Sequence, residues 1–163
     1  MSKEEIIEAK AKALHDHISS RPVDTYADKP WGLVKSTNES ADESRMMTFK
    51  DAEIEDSRQQ TENIQPAPKT IVEFGGYVGA SAITWDAILR EFNNADSSVD
   101  ANVYTFELSS VSAGIAQDPT RLCDLENTAH VFEGPAADPP RKVFEEGNLK
   151  KTGVDIAFFD HWE

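Results

Sequence analysis

Apolar residues near the amino terminus recur with helical spacing. Ile7, Ala11, Leu14 and Ile18 stand at i, i+4, i+7 and i+11 and form one stripe. Ahead of them, Ser2-Lys3-Glu4-Glu5 fits a capping box, in which a serine hydroxyl and a glutamate three residues on satisfy open helix donors. Ser19, Ser20 and Pro22 close the helix. Residues 23–35 read as a connector carrying Tyr26, Pro30 and the anchoring aromatic Trp31. From 36 to 65 the chain is mostly Ser, Asn, Asp, Glu and Gln, and its apolar Met46, Met47, Phe49 and Ile64 make no clear stripe. Weak helix or partly disordered chain is expected there.

Pro66 and Pro68 mark a change of pattern. Thr70–Phe74 is a short β-rich run closed by Gly75-Gly76, and 81–92 follows with Ala82, Trp85, Ile88, Leu89 and Phe92 at helical spacing. After the polar stretch 93–102 comes a second strand at 103–106. Residues 109–129 are helical in pattern, but Pro119 is expected to break them into two pieces. A third strand stub at 131–132 precedes Gly134-Pro135. A short helix fits 141–149, and Ile156–Phe159 makes a fourth strand. Strands alternating with helices predict an α/β fold with a parallel, doubly wound sheet. The chain divides into a helical and polar region, 1–68, and a Rossmann-like part, 69–163.

Composition narrows the functional classes. The chain has 163 residues, a one-domain length, and 30 acidic against 16 basic side chains give a net charge of −14. That charge repels nucleic acid and anionic lipid, so neither is expected as a partner. No run approaches the ~18 consecutive apolar residues of a membrane span. The opening MSKEEIIEAK lacks the features of a secretory or transit peptide. A lone cysteine, Cys123, has no internal disulfide partner, and a reducing cytoplasm is the expected location.

The chemistry concentrates where strands end. In an open parallel sheet, ligands sit outside the carboxyl ends of the strands. The four predicted strands end in Phe74-Gly75-Gly76, Glu107, Gly134 and Asp160. The glycines of Glu73-Phe-Gly-Gly-Tyr77-Val-Gly79-Ala-Ser81 let backbone approach a ligand, and the following helix N-terminus favours an anionic group. The spacing is not the G-x-G-x-x-G of dinucleotide sites, which weighs against a nicotinamide-binding half-domain. Glu73, an acid inside the strand end, suits a cationic ligand better than a pyrophosphate. Glu107 is placed to accept both hydroxyls of a ribose, or is simply a solvated loop residue.

TIVEFGGYVGASAI, YTFELSS, HVFEGPAAD and DIAFFDHWE, in that order, resemble the catechol O-methyltransferases, which use S-adenosylmethionine. The match runs from about Lys69 to the last residue. Residues 1–68 match only loosely, through an early helix, Trp31 and Met46-Met47. The resemblance implies a class I methyltransferase sheet, incomplete at about four strands, preceded by amino-terminal helices. It implies that Glu73, Gly75, Tyr77 and Ser81 surround the methionine part of the cofactor and that Glu107 holds its ribose. Gly134 to Ala137, including Ala136, would border the adenine, with His161 and Trp162 near the same ring. Asp160 would be one ligand of a magnesium ion that chelates a catechol-type substrate and orients its hydroxyl for attack on the methyl group.

The sequence departs from the family's pattern at several places. Glu163 stands where the family has a lysine base, and a carboxylate would add negative charge beside a developing phenolate. No catalytic residue is therefore assigned. Ala136 replaces a polar residue, and Thr48-Phe49-Lys50-Asp51 lacks a glycine. The Asp-Asn pair that completes the metal site, and later strands, have no counterpart. A cofactor-binding but catalytically silent relative is thus the alternative reading. With Ile156–Phe159 ending the sheet, and residues 36–65 too polar to shield two phenylalanines, self-association through the open edge is expected. The remaining candidates read as structural: His15 and His17 as solvated surface on different helix faces, His130 as a packing residue, Cys123 as a buried inert thiol. Met46-Met47 reads as core filler or cofactor wall.

Overall fold

A computed structural model describes residues 1–44, 46, 48–93, 101–134, 143–144, 149 and 153–160. Strands β1 (Thr70–Phe74), β2 (Asn102–Glu107), β3 (Ala129–Glu133) and β4 (Ile156–Phe159) pair in parallel in the order β3-β2-β1-β4. The order reverses between β1 and β4, the switch point of a doubly wound sheet. The predicted α/β class is what the chain adopts. Helices α4 (Ala80–Phe92) and α5 (Ser110–Leu122) make the crossovers from β1 to β2 and from β2 to β3.

Alternation along each strand gives the sheet two different faces. Ile71, Val103, Ala129 and half-buried Phe158 join the main core, which α4 and α5 cover. Val72, Tyr104 and Phe106 face the other way and pack with Leu149 and half-buried Val143 and Val154. On this second face one phenylalanine from each strand falls in register. Phe159, Phe74, Phe106 and Phe132 stack in a row with ring centroids 4.8, 5.5 and 5.3 Å apart.

The amino-terminal region is more ordered than its composition predicts. The capping box forms: Glu5 N–H donates to Ser2 Oγ and Ser2 N–H to Glu5 Oε2. It opens α1 (Lys3–Ser19), which buries Ala11, Leu14 and Ile18. The stretch expected as a connector holds the start of α2 (Pro30–Ser44), and the one expected as weak helix or partly disordered chain is helical, in the rest of α2 and in α3 (Asp51–Glu62). Their buried faces are small and partly hydroxylic: Leu33, Val34, Thr37 and Ala41 on α2, and Ile54, Ser57 and Thr61 on α3. Thr61 Oγ1 donates to the Ser57 carbonyl at 2.7 Å, so its burial leaves no hydroxyl unpaired. α2 and α3 pack on α4, and α1 on α2 and α5. α4 is thereby enclosed, and every residue from Ser81 to Leu89 is buried.

Two further expectations are corrected. α5 runs through Pro119 unbroken: the proline is buried against the core, and the helix ends three residues later. Residues 36–65 do shield one of the β4 phenylalanines. Phe49 and Trp85 meet Phe158 edge-on at 5.4 and 5.5 Å, whereas Phe159 on the opposite face stays 64% exposed. Among the described residues no helix is long and apolar enough to cross a membrane.

Candidate functional site

The turn from β1 into α4 is built by glycines where no other residue fits. Gly79 has φ +80°, and a Cβ there would lie 2.9 Å from the Ala116 carbonyl oxygen of α5. At Gly76 a Cβ would sit 2.1 Å from Thr105 Oγ1 on β2, an impossible approach. The turn is laced to β2 by Gly75 N–H, which donates to the Phe106 carbonyl at 2.9 Å. Tyr77, itself at φ 43°, donates its N–H to Glu107 Oε2 at 2.7 Å. Its phenol donates to the Ile7 carbonyl of α1 at 3.1 Å, so the tyrosine ties the first helix to the turn. Burial and the Glu107 charge push the Tyr77 phenol above its usual pKa.

Glu73 lies beneath this turn and is fully buried. Its neighbour in register is Thr105, whose hydroxyl donates to Glu73 Oε2 at 2.6 Å. Glu73 Oε1 has no hydrogen-bond partner. Burial pushes this carboxyl up to about 7. The nearby Ser81 and Thr105 hydroxyls counter that rise, and the Asp160 and Glu107 charges add to it. A buried carboxyl with one oxygen unpartnered lacks both a donor and a counter-charge there, the two things a cation would supply.

Glu107 closes β2 and is not a solvated loop side chain. Tyr77 N–H holds Oε2 at 2.7 Å and Ser109 N–H holds Oε1 at 2.8 Å. A carboxylate has about four acceptor positions, so one on each oxygen remains for a ligand hydroxyl. The Glu107 carbonyl accepts from Gly134 N–H at 2.9 Å, which places the β3 end beside the β2 end.

Most of the expected site therefore converges: Glu73, Gly75, the Tyr77 backbone, Ser81 at the start of α4, Glu107 and Gly134 surround the carboxyl ends of β1, β2 and β3. Asp160 joins them at the end of β4, where its N–H donates to the Phe74 carbonyl at 2.9 Å and its side chain is exposed. Among the described residues no group of three or more His, Cys, Asp or Glu could hold a metal ion. Asp160 is the one acid the resemblance offers magnesium among the described residues, and the rest of a near-octahedral oxygen shell would have to come from water or other ligands. Ala136, His161, Trp162 and Glu163, with Met47, lie outside the described residues.

No protein-family model matches the chain. Among solved structures, an O-methyltransferase from Bacillus cereus in complex with SAH is similar to it, at 18% identity and a TM-score of 0.41. The alignment covers 85% of this chain and 63% of that one, so this chain spans less than two thirds of that protein's length.

Sequence reasoning missed two residues of the site. Thr105 reads only as part of a strand, and Ser109 only as the start of a helical stretch; the structure has Ser109 capping α5 and holding Glu107. Both histidines read as solvated surface are half-buried. His15 is half-buried between α1 and α5, with Nε2 2.7 Å from Asp118 Oδ2, while His17 turns instead toward Ser36 of α2. His130 packs as expected, stacked on Tyr104 at 4.9 Å with Nε2 2.8 Å from Asn102 Oδ1. Cys123 is buried and its thiol pushed up to about 12 by burial, which makes it inert.

Proposed function

We propose that this chain binds S-adenosylmethionine and belongs to the O-methyl-transfer chemistry of the catechol type. One observation carries the reading. Two carboxylates on adjacent strand ends flank a single glycine turn, one buried with an open oxygen and the other fixed by two backbone amides. The open Glu73 oxygen matches the ammonium of the methionine part, and the spare Glu107 positions match the ribose hydroxyls. A pyrophosphate in the same place would meet two like charges, which disfavours a nicotinamide dinucleotide. When bound, S-adenosylmethionine supplies an electrophilic methyl on sulfonium. The chain's own residues hold the two ends of the cofactor and leave the exposed Asp160 end of β4 for an acceptor. The expected acceptor is a small vicinal-diol aromatic and the expected metal magnesium. Both rest on the sequence resemblance, and no step is assigned to the metal.

A second reading, a binding but silent relative, is favoured by Glu163 in the position of the family's lysine. Incubation with methyl-labelled S-adenosylmethionine, magnesium and catechol separates the two. Retained cofactor with labelled guaiacol supports methyl transfer. Retained cofactor without product supports the silent relative, and no retention contradicts both.

A further inference from the structure

We propose that Thr105 is the positioning residue of this site: its hydroxyl holds one oxygen of Glu73 so that the other is presented to the cationic amino group of the ligand. The inference rests on the cofactor reading above and deepens it. A carboxylate at the end of a glutamate side chain can rotate, and with both oxygens engaged by protein donors it would offer a cation little. Here the Ser81 hydroxyl lies near the carboxyl and favours its charge, but the one close hydrogen bond is to a single oxygen. Thr105 Oγ1 donates to Oε2 at 2.6 Å, and Oε1 has no partner although the residue is fully buried.

Three features make the contact directional. Glu73 and Thr105 face each other in register on neighbouring parallel strands, and both are fully buried. β-Branching restricts the Thr105 rotamer. The space the hydroxyl occupies exists only because residue 76 is glycine, since a Cβ there would fall 2.1 Å from Oγ1 and 3.3 Å from the Thr105 Cβ. Gly76 thus leaves room for a hydroxyl, and the hydroxyl orients an acid. The same glycine belongs to the turn against which the ligand lies, so the orienting group and the binding surface are set by one close approach. Thr105 acts through Glu73 and does not itself touch the ligand.

The test compares the wild type with Thr105→Val, which keeps the shape, Thr105→Ala, which removes it, and Thr105→Ser, which keeps the hydroxyl. Each is titrated with S-adenosylhomocysteine and with the analogue in which hydrogen replaces the α-amino group. Thermal unfolding without ligand is measured alongside, and two hydroxyl-free variants guard against one failing to fold. Thr105→Val and Thr105→Ala should weaken S-adenosylhomocysteine about tenfold, the scale of a lost hydrogen bond to a charged group, and change the amino-free analogue less than about twofold. Thr105→Ser should restore the wild-type preference. Equal weakening of both ligands would mean a merely structural threonine and would overturn the inference. So would an unchanged preference in the hydroxyl-free variants, or a serine variant that behaves like valine. A wild type that binds neither ligand would overturn the cofactor reading and the inference with it.

Discussion

Replacing Glu73 by glutamine should change how stability depends on pH, in a direction that burial dictates. In the unfolded chain this carboxyl titrates near 4.5; in the fold, burial pushes it up to about 7. The folded state therefore holds the proton more tightly than the unfolded state. The stabilisation is complete below 4.5 and is lost as pH rises through about 7, where the buried group ionises against burial. The gap between the two values corresponds to about 3 kcal/mol, of which about 2 kcal/mol is crossed between pH 5.5 and 8. Glutamine cannot ionise. Any fixed cost of placing its amide beside Thr105 is the same at both pH values and cancels in the comparison. Urea unfolding of wild type and Glu73→Gln at pH 5.5 and 8 is the assay, with the shared surface carboxylates cancelling between the two proteins. The variant should gain about 2 kcal/mol relative to wild type on going from pH 5.5 to 8. A stability difference independent of pH would refute the claim that this carboxyl is buried without adequate compensation. A cationic ligand favours the ionised form, so its affinity for the wild type should rise through the same interval by up to about 30-fold.

Other outcomes follow from the same geometry. Glu107→Ala frees the Tyr77 and Ser109 amides and should weaken S-adenosylhomocysteine by about 1–3 kcal/mol in calorimetry, with little effect on the secondary structure seen by circular dichroism. Phe49→Ala opens a cavity between Trp85 and Phe158 and should cost about 3–5 kcal/mol in denaturant unfolding; a loss below 1 kcal/mol would mean that the segment joining α2 to α3 is not part of the core. Phe159 is 64% exposed on the strand that borders the described sheet, so Phe159→Lys should lower self-association in a sedimentation concentration series, and an unchanged series would argue against that surface as the contact.

What could be read from the sequence, and what could not, divides along physical lines. β1 and β4 announce themselves at their full lengths because each is a continuous β-rich run with glycine, aspartate or proline nearby. α2 and α3 do not, because they bury threonine, serine and alanine, which an apolar count passes over. The strand ends could be placed as a site because the α/β order alone brings them to one edge. The partners of the two acids could not. Glu73 meets Thr105 only through the register of strands some thirty residues apart, and Glu107 meets amides whose direction depends on the left-handed backbone of Tyr77. Neither fact is local. Pro119 misled because a proline's local cost in a helix is set against tertiary packing, and here it is buried three residues before the helix end.

Isothermal titration of the wild-type chain at pH 7.5 with S-adenosylhomocysteine, and separately with NADH, tests the central claim most directly. The open Glu73 oxygen and the held Glu107 predict saturable one-to-one binding of S-adenosylhomocysteine and none of NADH. Saturable NADH binding with no heat from S-adenosylhomocysteine would contradict the account.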